Sequence, residues 1–221
     1  MGLFLPARRT VRPSGRRLQC ISNLRQVALG LHGYHSTYGC YPPPYIADAS
    51  GKPMHSWRTL ILPWIDNKEQ YDAYKFDEPW DGPNNRKIAD TGIGIYHCPV
   101  GTREPPGLTD YVVIRGPGTA FPGGGRKVTD RDVLDGTAST IMVVEVANSG
   151  IHWAEPRDLD FERMSFQLND PSRPSISSPH EGGANVIMID GSGKFLLDTV
   201  PPSVIRAMIT IDGHEPIPKD E

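Results

Sequence analysis

Hydrophobic and polar positions change rhythm along this chain. A three-to-four-residue repeat near its start gives way to alternation and short apolar runs after Ile95. Over 16–38, Ile21, Leu24, Ala28, Leu31 and His35 recur at helical spacing with Val27 and Tyr34 beside them, which predicts a long amphipathic helix. Ser14 is its expected N-cap, and Gly39 followed by Pro42-Pro43-Pro44 its end. Gly33 weakens it by about 1 kcal/mol relative to alanine. An irregular region follows, with an apolar stretch over 57–65 and short helices over 67–76 and 84–89. Strands are predicted over 111–114 and 140–146, the latter the strongest in the sequence. Residues 116–125 and 147–179 are expected to be mostly loop. Asp190-Gly191-Ser192-Gly193 between apolar runs at 184–189 and 194–197 is a β-hairpin signal, and Pro201-Pro202 opens a last short helix over 203–209. A helix first and strands later argue for the α+β class.

Composition adds loops and a charge asymmetry. The 38% of hydrophobic residues in 221 argues against disorder throughout, while 23 glycines and 22 prolines predict many turns. The net charge of −3 conceals six arginines (Arg8, Arg9, Arg12, Arg16, Arg17 and Arg25) before the first acidic residue, Asp48, and 17 basic against 26 acidic residues in the remainder. The plain account of the arginines is the solvated start of a helix; a basic arm on an acidic body also suits anionic lipid or an acidic partner. Without interleaved aromatics they make a weak nucleic-acid signature, so nucleic acid is not an expected partner. Cys20, Cys40 and Cys98 form no C-x-x-C pair, which excludes a zinc-ribbon or thioredoxin-type motif. One disulfide with a cysteine left over and three free thiols both fit that count. No stretch approaches the ~20 apolar residues that span a bilayer. Leu3-Phe4-Leu5 is shorter than the about 7–15 apolar residues of a signal-peptide core, so on these residues alone a soluble, cytoplasmic location is open.

The chemistry-bearing candidates are few. If 184–189 is a strand, it holds His180 and Asp190 about 20 Å apart at its two ends. His180 then orders the loop entering the strand, and Asp190-Gly191 makes the turn leaving it. Glu145, on a strand face shared with Ile141 and Val143, is a carboxylate among apolar residues and needs a partner, for which His152, Arg157 and the Trp153 indole are nearest in sequence. A sharper possibility is an oxygen-ligand calcium site built from Glu145, Glu155, Asp158 and Asp160, although no D-x-[DN]-x-[DN]-G loop occurs. Residues 116–125 lack the G-K-[ST] of a phosphate loop, and no G-x-S-x-G elbow is present. His32 and His35, one turn apart without H-E-x-x-H, are expected to pack on the sheet. A metal-dependent hydrolase would need at least three of His152, His180, Glu145, Asp158 and Asp190 to converge. A glycan- or peptide-binding module would need Trp57, Trp64, Trp80 and Trp153 exposed on one concave face.

Several segments together carry a resemblance. They are Arg17-Leu18-Gln19-Cys20 with Asn23-Leu24-Arg25-Gln26 and Gly30-Leu31-His32, His55-Ser56-Trp57-Arg58, Glu78-Pro79-Trp80-Asp81, Cys98-Pro99, Gly116-Pro117-Gly118-Thr119, Asp135-Gly136-Thr137, and His180 followed after nine residues by Asp190-Gly191. In this order the set resembles a bacterial family of domains of unknown function with a prepilin-type H-x(9)-D-G motif, similar at its N-terminus to type II secretion pseudopilins and type IV pilins. The resemblance implies a pilin-like α+β head, a long N-terminal helix packed on a small antiparallel sheet with extensive loops. It implies a remnant of the hydrophobic stem and a basic arm over 1–15, the H-x(9)-D-G domain over 16–215 and a polar tail over 216–221. His180, Asp190 and Gly191 are then structural motif residues. The expected function is a non-enzymatic assembly component of a secretion or surface system, anchored in the inner membrane with an extracytoplasmic head. Its partners would be other pseudopilin-like subunits. No cofactor is expected, with calcium, used by major pseudopilins, as the analogy to test.

Overall fold

The computed structural model of the chain describes residues 13–100 and 105–215. Most of the expected stem remnant and basic arm, and the expected polar tail, lie outside them. The described residues begin with α1, Pro13–Tyr38. Its buried residues Cys20, Leu24, Val27, Ala28 and Leu31 form one stripe, as the 3.6-residue period requires. Ser14, the expected N-cap, falls inside the helix, which already includes Pro13. Gly33 has a packing reason: Trp64 lies against α1 where a Cβ at Gly33 would stand. The backbone Gly39 N–H donates to the His35 carbonyl at 2.8 Å and closes the helix.

A hairpin absent from the sequence reading follows, β1 (Tyr45–Ala47) against β2 (Pro53–Ser56). Short helices come next: α2 (Trp57–Leu60), a 3-10 turn at Leu62–Trp64, α3 (Lys68–Ala73) and α4 (Asn85–Ala89). The β-rich half contains β3 (Leu108–Thr109), β4 (Tyr111–Val112), β5 (Ile114–Arg115), β6 (Ile141–Glu145), β7 (Ile151–His152), β8 (Leu159–Asp160), β9 (Gly183–Met188) and β10 (Gly193–Leu197). Helix α5 (Pro202–Ile209) ends it. The strand expected over 111–114 is divided: β4 joins the main sheet, while β5 pairs in parallel with β8, because the chain changes partners at Val113. The stretch 147–179 holds two short strands, β7 on β3 and β8 on β5.

The main sheet is antiparallel with order β10-β9-β6-β4. One face packs against α1, where Leu24, Val27, Ala28 and Leu31 meet Val143 and Ile187. The other packs against α5, where Ile205, Met208 and Ile209 meet Ile141, Val144, Val186 and Met188. Covered on both faces, β9 is buried along its whole length. A bulge between Ile141 and Val143 breaks the simple alternation of β6. Ile141 therefore faces α5 and Val143 faces α1, contrary to the single face expected for both. The architecture is thus a mixed α and β fold with one long N-terminal helix and small antiparallel sheets. Among the described residues, no helix is long and apolar enough to cross a membrane.

The hairpin signal at 190–193 is realised. The Gly191 N–H donates to the Met188 carbonyl at 2.9 Å, the Ser192 N–H donates to the Asp190 carboxylate at 2.8 Å, and Gly191 holds φ +82°. His32 packs on the β9–β10 hairpin of the main sheet, beside Gly191 and in hydrogen-bond contact with the Ile189 backbone, and both His32 and His35 also pack on the ring of Tyr41.

Candidate functional site

Four segments distant in sequence meet at one end of the α1–sheet interface. Cys20 comes from the buried stripe of α1, and Cys98 follows the 3-10 turn at Gly94–Tyr96. Glu145 closes β6, and His180 lies in the loop that enters β9. Cys20 and Cys98 form a disulfide with their Cα atoms 5.2 Å apart, which leaves Cys40 as a buried free thiol. The Asn23 amide donates to the His97 carbonyl at 2.9 Å and the Tyr111 hydroxyl to the same carbonyl at 3.3 Å, while the Cys98 N–H donates to Asp110 at 2.8 Å. These bonds hold the 97–98 segment against α1.

Glu145 is fully buried and unevenly satisfied. Its Oε2 accepts from the Ser178 hydroxyl, the Asn185 N–H and the Asn185 side-chain amide, each at 2.9 Å. Its Oε1 is buried without a hydrogen-bond partner among the described residues, 3.7 Å from His180 Nε2. Burial pushes the carboxyl up to about 7, against the pull of the bonds from Asn185 and Ser178. His180 Nε2 also lies 3.5 Å from Cys98 Sγ. Burial, and then the positive charge of Arg17, lower the imidazole below its usual value and favour its neutral form. The donor atoms of Cys20, Cys98, Glu145 and His180 all lie within 4.8 Å of one another.

The partners expected for Glu145 are engaged elsewhere. The Trp153 indole donates to the Ala89 carbonyl, Arg157 pairs with Glu155, and His152 stacks on Trp80 with Asp90 3.6 Å away. The sequence neighbours lose because antiparallel pairing with β9 brings Asn185 beside Glu145. Nor do the four candidate calcium ligands share a site. Glu155 pairs with Arg157, Asp158 with Arg58 and Asp160 with Arg115, each a separate ion pair, while Glu145 faces His180. His180 and Asp190 stand at opposite ends of β9 and do not pair. Of the five groups weighed for hydrolysis, Glu145 and His180 meet, whereas His152, Asp158 and Asp190 have separate surroundings. Trp57 and Trp153 are fully buried and Trp64 and Trp80 half-buried, so the four tryptophans do not line one exposed face.

Sequence reasoning missed a second buried centre. Arg58 is wholly buried, with its guanidinium over the Trp57 ring. Its Nε donates to the Tyr111 carbonyl at 3.0 Å, Nη1 to the Ser56 hydroxyl at 2.9 Å and Nη2 to Asp158 at 2.5 Å. The Trp57 indole and the Val113 N–H donate to the same Asp158 oxygen, each at 3.1 Å. The signal was the Ser56-Trp57-Arg58 run, where an arginine follows residues that read as core. Burial pushes the Asp158 carboxyl up, while Arg58 pulls it back.

The family model described as "Protein of unknown function (DUF1559)" matches residues 9–125, a span that carries Cys20 and Cys98 and ends before Glu145 and His180. No curated protein and no solved structure matches the chain.

Proposed function

The chain belongs to the family of proteins of unknown function DUF1559, and on that premise we propose that it is a pilin-like, non-enzymatic structural subunit of a bacterial surface or secretion assembly. The observation that carries the proposal is the outer face of α1. Leu18 and Leu29 are 64% and 65% exposed on a helix whose opposite face is core. Leu18, Ser22, Arg25, Leu29 and Ser36 fall within about 40° of one line along the axis. The two leucines stand about 16 Å apart on it. Helix α1 carries no acidic residue, so this face is apolar and basic.

A complementary surface exists on the same chain. Residues 66–81 hold Asp66, Glu69, Asp72, Asp77, Glu78 and Asp81 against Lys68 and Lys75. All but Glu78 among these carboxylates are exposed. A basic helix face on one copy and an acidic segment on the next make a heterologous contact, which propagates into a filament when it does not close. The neighbour we assign to the outer face of α1 is therefore a second copy, or a subunit of the same type.

A photo-crosslinking amino acid in place of Leu29, in the gene product within its own cells, tests this. The expected result is a ladder of multimers of this chain, or of it with pilin-like subunits, with crosslinked peptides from 66–81. A monomer alone, or capture of an unrelated soluble protein, would overturn it.

A further inference from the structure

The cluster around the disulfide holds more donor chemistry than a disulfide uses. Two sulfurs, an imidazole nitrogen and a carboxylate oxygen converge within 4.8 Å. A zinc ion with sulfur at ~2.3 Å and nitrogen or oxygen at ~2.0–2.2 Å spaces its ligands about 3.3–3.8 Å apart. His180 Nε2 lies 3.5 Å from Cys98 Sγ and 3.7 Å from Glu145 Oε1, both on that scale. We infer that Cys20, Cys98, Glu145 and His180 form a closed four-ligand zinc site when the Cys20–Cys98 pair is reduced, so the cluster has two alternative covalent states.

An independent observation points to a ligand. Glu145 Oε1 is a buried oxygen without a hydrogen-bond partner, aimed at the imidazole. Such groups are costly and rare. The other oxygen is fixed by Ser178 and Asn185, the outer-shell arrangement that orients a metal-binding carboxylate. Cys20, Cys98 and Glu145 are buried and His180 nearly so, which fits a structural site with no position left open for substrate. Arg17, close enough to influence His180, offsets the excess negative charge of two thiolates and a carboxylate around a divalent ion.

The conversion balances. A dithiol reductant delivers two electrons and two protons, becoming a disulfide, and the Cys20–Cys98 bond becomes two thiols. Zinc then displaces both thiol protons to solvent and forms two Zn–S bonds. The His180 Nε2 lone pair and a Glu145 oxygen complete the tetrahedron. With Cα atoms 5.2 Å apart, rotation about the two Cα–Cβ bonds separates the sulfurs without moving α1 from the sheet. This site does not depend on the outer face of α1 and stands or falls separately from the assembly role.

The full chain carrying Cys40→Ser, reduced with a dithiol and titrated with zinc and with cobalt, provides the test. Expected results are one zinc per chain in the reduced protein, none in the oxidised one, and a cobalt spectrum with thiolate charge-transfer and tetrahedral d–d bands. His180→Ala should weaken zinc affinity at least ~100-fold, the upper end of what loss of an outer-shell partner costs. Asp190→Ala, outside the cluster, should leave it unchanged. Re-formation of the disulfide in the His180→Ala chain shows that this variant still folds. Zinc should also protect the two thiols from alkylation in the unsubstituted cluster. No stoichiometric uptake, uptake that requires Cys40, or equal affinity in His180→Ala would overturn the site.

Discussion

Asp158 and Glu145 are both buried carboxylates, and they differ in what faces them. Asp158 Oδ1 collects Arg58, the Trp57 indole and the Val113 N–H, a cation and two further donors at one oxygen. Among the described residues, Glu145 collects three donors at Oε2 and none at Oε1, and the group that faces Oε1 is the His180 imidazole, 3.7 Å away. Burial raises both carboxyls, but only Asp158 has a guanidinium pulling it back. A buried ion pair gathered on one carboxylate oxygen ties α2 to the β5–β8 region, and its cation holds the charged form. A half-satisfied carboxylate beside a histidine and two sulfurs leaves a donor available.

The comparison breaks most severely at Arg58. Arg58→Met leaves Asp158 buried without its cation, and removing one partner of such a pair costs about 3–5 kcal/mol. Urea denaturation at neutral pH should show that loss as a lowered midpoint with an unchanged slope.

Glu145→Gln acts in the opposite direction. The folded chain holds the Glu145 proton up to about pH 7, whereas the unfolded chain releases it near 4.5. Its contribution is fully present below the unfolded value and is lost as pH rises through the folded one, by about 3 kcal/mol in total. Stability curves of the oxidised protein and of Glu145→Gln should coincide near pH 4 and separate between 4.5 and 7, with the variant the more stable at pH 8. Coincidence across the whole range would contradict the half-satisfied carboxylate.

Ser178→Ala is the mildest of these changes. It removes one of three donors to Oε2, together with the hydroxyl that accepts from the His180 N–H. The cost should be about 1 kcal/mol where Glu145 is neutral and about 2 kcal/mol where it is charged. The variant's pH dependence should therefore steepen, which denaturation at pH 5 and pH 8 reads directly.

These residues also show which parts of the molecule were legible in the sequence. Helix α1 was readable because Leu24, Ala28 and Leu31 keep the helical period, and β9–β10 because Asp190-Gly191 is local turn chemistry. The β1–β2 hairpin was not, since its strands are short and Pro53 opens one of them. The division of 111–115 between two sheets depends on which partner each residue finds, and no local pattern encodes that. The candidate cluster is wholly non-local: 78 residues separate Cys20 from Cys98, and Asn185 is 40 residues from the Glu145 it orients. Glu145 stood out as a carboxylate in an apolar strand, yet its partners could not be named from sequence neighbours. Arg58 was hidden for the converse reason, because an arginine is ordinarily read as surface.

The most direct measurement is a carbon-13 NMR titration of the Glu145 side-chain carboxyl, first in the oxidised chain and then in the reduced chain with zinc. The oxidised protein should titrate at about 7, and the zinc-loaded protein should show Glu145 ionised well below that. A carboxyl titrating near the ordinary value of about 4.3 in the oxidised chain would contradict the account. It would mean that Oε1 is already satisfied in the oxidised chain.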